Sequence, residues 1–321
     1  MTTQLFNVAQ AFGVKAPKGL SIEGFADATH PHIPPATPYV FRQGLAGIIA
    51  FLRDPAGDAF LLTGPTGSGK TSLVCQVANR LNWPVQSVTC HGRMELSDLI
   101  GQFVLCEGST RFVHGPLSVA LREGHLLLLN EIDLMDPAEL AGLNDVIEGH
   151  PLVIPQNGGE VIRPHPKFRV FATGNSAGAG DTTGLYQGVL RQNLAFLDRF
   201  RVLAVGYLEP EVELGVLERA VPSLPQAVGE KLIAVANEVR RLFMGEGESE
   251  SGAGAELTVT LSTRTLVRWA RLALTFRGAP QPIRFALEQA LTARADPEQR
   301  EAIHRIAADV MGDLWSGGTP A

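Results

Sequence analysis

No apolar run in this 321-residue chain approaches the ~20 residues a bilayer-spanning helix requires, so no membrane role is expected. Cysteine is scarce. Cys75, Cys90 and Cys106 form no CxxC pair and leave an odd count, which argues against a disulfide framework and fits a reducing compartment. A basic excess is also missing: 27 Lys and Arg stand against 33 Asp and Glu, a net charge of −6, so no broad nucleic-acid footprint is expected. The start, Met1-Thr2-Thr3-Gln4-Leu5, has no basic segment ahead of an apolar core, so no signal peptide is expected and the expected location is the cytoplasm. His91, His114, His150 and His165 lack the spacing of a zinc site, and there is no internal repeat. What remains is ordinary globular composition, 45% hydrophobic and 19% charged, with length for a large domain and a smaller one or for two comparable domains.

Against that plain background, Gly64-Pro65-Thr66-Gly67-Ser68-Gly69-Lys70-Thr71 spells a phosphate-binding P-loop. Three glycines let the backbone wrap a polyphosphate so that successive N–H groups point at the anion. Lys70 is placed to reach the β- and γ-phosphates, and the Thr71 hydroxyl to ligate Mg²⁺. The flanks suit such a loop. Ala59–Leu62 reads as a buried strand, and residues 72–81 as a helix with Leu73, Val74, Val77 and Leu81 on one face. The helix N-terminus then opens onto the phosphates, where its dipole favours negative charge. The sequence predicts binding of ATP or GTP.

Residues 1–38, rich in Gly and Pro and ending in His30-Pro31-His32-Ile33-Pro34-Pro35-Ala36-Thr37-Pro38, read as an extended, turn-rich lead-in. A metal site on His30 and His32 is weighed against a proline-flanked surface segment, and the latter is preferred. Residues 39–207 alternate short apolar runs with helical patterns, the mark of an α/β domain with a parallel sheet. Five strands are expected at Ala59–Leu62, Val85–Thr89, Leu126–Leu129, Arg169–Thr173 and Val202–Val205. Two β-hairpins interrupt them, Gln102–Val113 and Leu152–Arg163. In the first, Phe103 and Phe112 are candidates either to grip a client or simply to pack. Residues 208–321 read as a helical lid, with Pro210 opening the first helix and Ser262 or Thr263 capping a later one. Gly245–Gly252 reads as a charged, glycine-rich loop.

Hydrolysis needs more than a cradle: a metal anchor, a group to orient water, and positive charge on the phosphates. Leu126–Leu129 leads into Asn130-Glu131-Ile132-Asp133, a buried strand ending in acid. Glu131 is the candidate to polarise water. Asn130 stands where an aspartate near Mg²⁺ is usual; its amide oxygen accepts hydrogen bonds but brings no charge, which predicts weaker Mg²⁺ binding and slow turnover. Asp133 compensates only if the loop after Leu129 turns it back towards the metal, which is not expected. Asn175, at the tip of the next strand, falls on the same sheet edge as the P-loop. Arg199 and Arg264 are candidates to neutralise γ-phosphate charge, though each arginine alone is more often a solvated surface group.

In this order, the P-loop, strand-Asn-Glu, strand-tip Asn175, Leu197-Asp198-Arg199-Phe200 and Ser262-Thr263-Arg264 resemble an AAA+ ATPase. The hairpins resemble the MoxR-type branch. Further stretches are similar to the CobS subunits of aerobic cobaltochelatases, more than to the related CbbQ and NorQ activators: residues 80–84, 97–101, 162–166, 180–186 and 264–265. The resemblance implies ATP bound by Gly64 to Ser72, Mg²⁺ at Thr71 and Asn130, and Glu131 as catalytic glutamate. It also implies Asn175 as sensor 1, Arg199 as an arginine finger acting on a neighbouring subunit, and Arg264 as sensor 2. It implies a ring, most often a hexamer, working with a von Willebrand A domain partner on a client protein. Three activities stay open: a remodelling ATPase, a scaffold ring that barely turns over, and the ATPase subunit of a cobalt chelatase; DNA translocation is disfavoured by the acidic balance.

Overall fold

A computed structural model describes residues 2–37, 39–41, 44–106, 108–178, 180, 188–245 and 257–317. The resemblance at 181–186 and the glycine-rich loop beyond Gly245, from Glu246 to Gly252, lie outside these residues. Contacts divide the chain into two units: Met1–Pro65 with Lys70–Val205, and Gly206–Ala321 with the P-loop tip Thr66–Gly69.

The first unit opens with strand β1 (Thr3–Asn7), a short helix (Val8–Phe12) and strand β2 (Ser21–Phe25), with β1 antiparallel to β2. This corrects the extended lead-in expected for residues 1–38. Val8, Phe12, Ile22 and Phe25 are buried in one core with Phe41, Leu45, Leu81 and Trp83. Phe25 N donates to Leu81 O at 3.0 Å. The density of Gly and Pro concealed these apolar residues; within residues 2–37, the stretches 13–20 and 26–37 carry no helix or strand.

Next come β3 (Ala59–Thr63) and β4 (Val85–Thr89), and then the first hairpin, β5 (Gly101–Cys106) with β6 (Ser109–His114). After β7 (Leu126–Asn130) lies the second hairpin, β8 (Leu152–Ile154) with β9 (Glu160–Ile162), followed by β10 (Arg169–Gly174) and β11 (Phe200–Ala204). Five of these strands form one parallel sheet in the order β11-β3-β10-β7-β4. The sheet is the α/β P-loop arrangement expected. Leu126 to Leu129 are all fully buried because helices or chain cover both faces, so an unbroken leucine run is stable where alternation would serve a half-exposed sheet. Even and odd positions fall into separate cores, with Leu126, Leu128 and Phe171 on one side and Leu127, Leu129 and Ala172 on the other.

The hairpins carry exposed apolar residues: Phe103, Leu105 and Val113 on one, Val153 and Val161 on the other. Phe103 and Phe112 sit edge to face at 5.3 Å. Glu160 joins the two hairpins. Its carboxylate lies 2.7 Å from His114 Nε2 on β6, accepts from Asn157 Nδ2 at 2.7 Å and pairs with Arg122. His30 and His32 do not form a free surface pair either: their ring centres lie 5.0 and 6.2 Å from that of buried His125. His125 Nδ1 faces Gln86 Nε2 at 3.1 Å, while its Nε2 is buried without a hydrogen-bond partner among the described residues. Burial and the neighbouring histidines push this imidazole down to about 4.

The second unit is helical, with helices Pro210–Ala220, Gln226–Phe243, Thr263–Thr275, Pro282–Ala290 and Pro297–Met311. Ser262 is the N-cap of Thr263–Thr275, accepting from Thr265 N at 3.1 Å. That helix buries Leu266, Trp269, Ala270 and Ala273. At the centre, Glu213 is fully buried and accepts two bonds from Arg240, at 2.7 and 2.8 Å, and one from Thr263 Oγ1 at 2.5 Å. The Arg240 guanidinium lies 4.5 Å from the Tyr207 ring centre. No helix among the described residues is long and apolar enough to cross a membrane.

Candidate active site at the strand tips

The C-terminal ends of β3, β7 and β10 bring the chemistry together. β3 ends at Thr63, and the P-loop follows. Gly64, Gly67 and Gly69 take φ of +138°, +74° and +95°, a region closed to most side chains. A Cβ at Gly64 would stand 2.2 Å from Val205 O, and one at Gly67 would stand 2.1 Å from Ser262 Cβ. The loop therefore needs glycine for both its turns and its packing. Its tip is held within the second unit, where Tyr207 Oη donates to Thr66 O at 3.1 Å and lies 3.0 Å from Thr260 Oγ1.

Lys70 opens the helix Lys70–Arg80, two residues earlier than its apolar periodicity alone suggests. Its ammonium folds back under the loop and donates to Gly64 O at 2.7 Å, Pro65 O at 3.0 Å and Asn175 Oδ1 at 3.1 Å. Burial lowers its pKa, and the negative charges of Glu131 and Asp133 oppose that shift. Asn175 Nδ2 in turn donates to Glu131 Oε2 at 2.9 Å. One amide thus bridges the P-loop lysine and the strand-end glutamate.

Asn130 is buried at the end of β7. Its Oδ1 accepts from Thr71 Oγ1 at 2.7 Å, and its Nδ2 donates to Ser87 Oγ at 3.0 Å. The oxygen makes the bond an aspartate would make, while the nitrogen makes one a carboxylate cannot. Glu131 follows at φ +55°, a left-handed position rare for a residue with a side chain, and a 3₁₀ turn spans Ile132–Leu134. That turn carries Asp133 into the interior. Asp133 is 2% exposed, and its Oδ2 accepts from Asn175 N at 2.7 Å and Ser176 N at 3.0 Å. Burial raises its pKa against these bonds and against the charge of Lys70. Sequence reasoning missed Asp133 because strand direction alone does not announce a left-handed residue. It also missed Ser87, which no motif marks.

The loop fits a polyphosphate. Ser68 Oγ is buried with no hydrogen-bond partner among the described residues, and the Lys70 ammonium lies beneath three loop or strand-tip oxygens within hydrogen-bond reach. Gly64 to Ser72 are the residues that would hold the phosphates, and Thr71 with Asn130 are the oxygens that would face Mg²⁺.

Arg199 stands apart from this cluster. Arg199 directly precedes Phe200, which pairs with Ala59, so it lies at the opposite edge of the sheet from the P-loop. Its guanidinium pairs with Glu148, Nε–Oε1 at 2.7 Å, and donates to Ala195 O. Glu148 also belongs to an exposed group with Asp145 and His150 whose ligand atoms lie within 4.8 Å of one another. Arg264 is exposed, one residue into the helix that Ser262 caps.

Comparison with known proteins agrees with this geometry. Residues 59–200 match the family profile of the AAA domain (dynein-related subfamily), and residues 213–310 match the CbbQ/NirQ/NorQ C-terminal profile. The chain is 29% identical over 279 residues to the aerobic cobaltochelatase subunit CobS of Sinorhizobium sp, covering 84% of this chain and 80% of that one. It is 31% identical to an uncharacterized protein of Staphylococcus haemolyticus, over 57% of this chain and 68% of the other. It is 34% identical to midasin of Dictyostelium discoideum over 65% of this chain, but spans 3% of that protein's length.

Proposed function

The chain belongs to the MoxR-type AAA+ ATPases, and on that footing we propose that it binds and hydrolyses ATP, as a ring, to remodel or activate a partner protein. One observation carries the reading: Lys70, Asn175 and Glu131 form a continuous hydrogen-bonded line beside the Thr71–Asn130 pair, at the strand tips where a P-loop fold presents its nucleotide. Lys70 would exchange its loop carbonyls for phosphate oxygens, Glu131 would accept a proton from attacking water, and Asn175 would hold the two in register. Mg²⁺, when bound, would supply charge neutralisation on the phosphates. Arg199 would act on a neighbouring subunit's nucleotide and Arg264 on its own. A von Willebrand A domain protein is the proposed partner, and the likeness to CobS supports, as a narrower reading, service to a cobalt chelatase.

The test is phosphate release by the purified protein with Mg²⁺ and ATP, alone and with co-captured partners. Glu131→Gln should reduce turnover by at least about 100-fold while leaving ATP binding intact. Turnover unchanged by that substitution would refute the assignment. A second reading, a ring that assembles on ATP and barely hydrolyses it, is favoured by Asn130, whose amide is satisfied on both sides without a charge. No phosphate release in any condition would select it.

A further inference from the structure

Asp133 is a buried carboxylate for which the reaction outlined above provides no role. Among the described residues it makes no hydrogen bond to Thr71, whose hydroxyl donates to Asn130 instead. The two bonds its carboxylate accepts from the backbone converge on the turn that leaves β10, at Asn175 N and Ser176 N. We propose that Asp133 is the positioning residue of this site: it pins the backbone at Asn175 so that the Asn175 amide stays aimed between Lys70 and Glu131. The inference rests on the ATPase reading.

Three features support a built arrangement. First, the chain adopts a left-handed conformation at Glu131 and a 3₁₀ turn to bring Asp133 inward, and Asp133 O fixes a further segment by accepting from Leu190 N at 2.8 Å. Second, the strand makes room for it. A Cβ at Gly174 would stand 2.5 Å from Asp133 Oδ1, so a side chain there would displace the carboxylate. Third, Asn175 has demanding geometry, with its oxygen accepting from Lys70 and its nitrogen donating to Glu131. An asparagine side chain turns about two bonds, so holding its backbone restricts where both ends can go. Displacement of a catalytic group by about 1 Å is enough to slow a reaction 100-fold.

A carboxylate that merely capped the strand end would predict a different outcome. If Asp133 acts through Asn175, the effects of the two residues are not additive. The experiment measures steady-state ATPase kinetics and binding of a fluorescent ATP analogue for wild type, Asp133→Ala, Asp133→Asn, Asn175→Ala and the Asp133→Ala/Asn175→Ala double variant. Asp133→Ala should lower kcat about 30- to 100-fold with KM changed less than about threefold. Asp133→Asn keeps an oxygen able to accept both N–H groups and should recover at least about tenfold of the loss. The double variant should be no slower than Asn175→Ala. Gly174→Ala, which keeps the carboxylate but displaces it, should also lower kcat, and it serves if Asp133→Ala does not fold. Additive losses, or a raised KM with kcat unchanged, overturn the positioning role alone. A wild-type protein that binds the analogue but releases no phosphate overturns the ATPase reading, and the positioning role with it.

Discussion

Asp133, beneath the strand tips, and Glu213, inside the helical unit, are both sealed from solvent, at 2% and 0% exposure, but different partners hold them. Glu213 meets a guanidinium face to face through two parallel bonds and takes a third from a threonine hydroxyl. Its charge is neutralised where it sits, and the result is a brace. Among the described residues Asp133 is held by neutral donors, two backbone N–H groups and, at 3.5 Å, the Ser176 hydroxyl. Its charge therefore remains available and acts on Lys70. A buried acid paired with arginine is fixed framework; a buried acid held by amides leaves a field in place for chemistry.

The first way to break this contrast is to remove Glu213. Glu213→Ala strands the Arg240 charge in the interior and should cost about 3–5 kcal/mol, seen as a large fall in Tm. Replacing both partners by apolar residues, Glu213→Leu with Arg240→Met, should restore much of that loss. If the single and double variants melt alike, the pair is not a brace.

His125 sharpens the comparison from the basic side, since it too is buried against a neutral partner, Gln86. The unfolded imidazole takes up a proton near pH 6.5, whereas the folded one stays neutral until about pH 4. The folded state therefore loses stability as pH falls through that window, by up to about 3 kcal/mol. Denaturant melts at pH 7 and pH 5 should show the decline, and a His125→Gln variant should flatten it. Equal slopes in both proteins would assign the acid sensitivity elsewhere.

The smallest effect is expected at Asn130. Asn130→Asp keeps the bond from Thr71 and adds a charge, so the Mg²⁺ concentration that half-saturates ATP turnover should fall about three- to tenfold. An unchanged Mg²⁺ titration would show that the neutral amide is not what sets metal affinity.

Much of this was legible in the sequence. The glycines of the P-loop, the buried leucines of β7 and the turn signals of the hairpins are each local requirements, so composition and spacing reveal them. Asn175 was legible because strand direction in a parallel sheet fixes which edge its tip shares. Asp133 was not, because its place depends on one left-handed residue, Glu131, with no glycine to advertise it. Nor was the folded character of residues 3–25, whose apolar residues share a core with Phe41 and Leu45 and, far along the chain, with Leu81 and Trp83.

Glu160 has a mechanical consequence. Through His114 it clamps the second hairpin to the first, and through Arg122 to the helix that follows it, so the pair should tilt as a single lever rather than as two loose flaps. Its far arm is connected, through the few residues from Arg163 to Phe168, to the strand that bears Asn175 at its end. A push on the exposed apolar tips therefore has a short covalent route to the amide poised over Lys70.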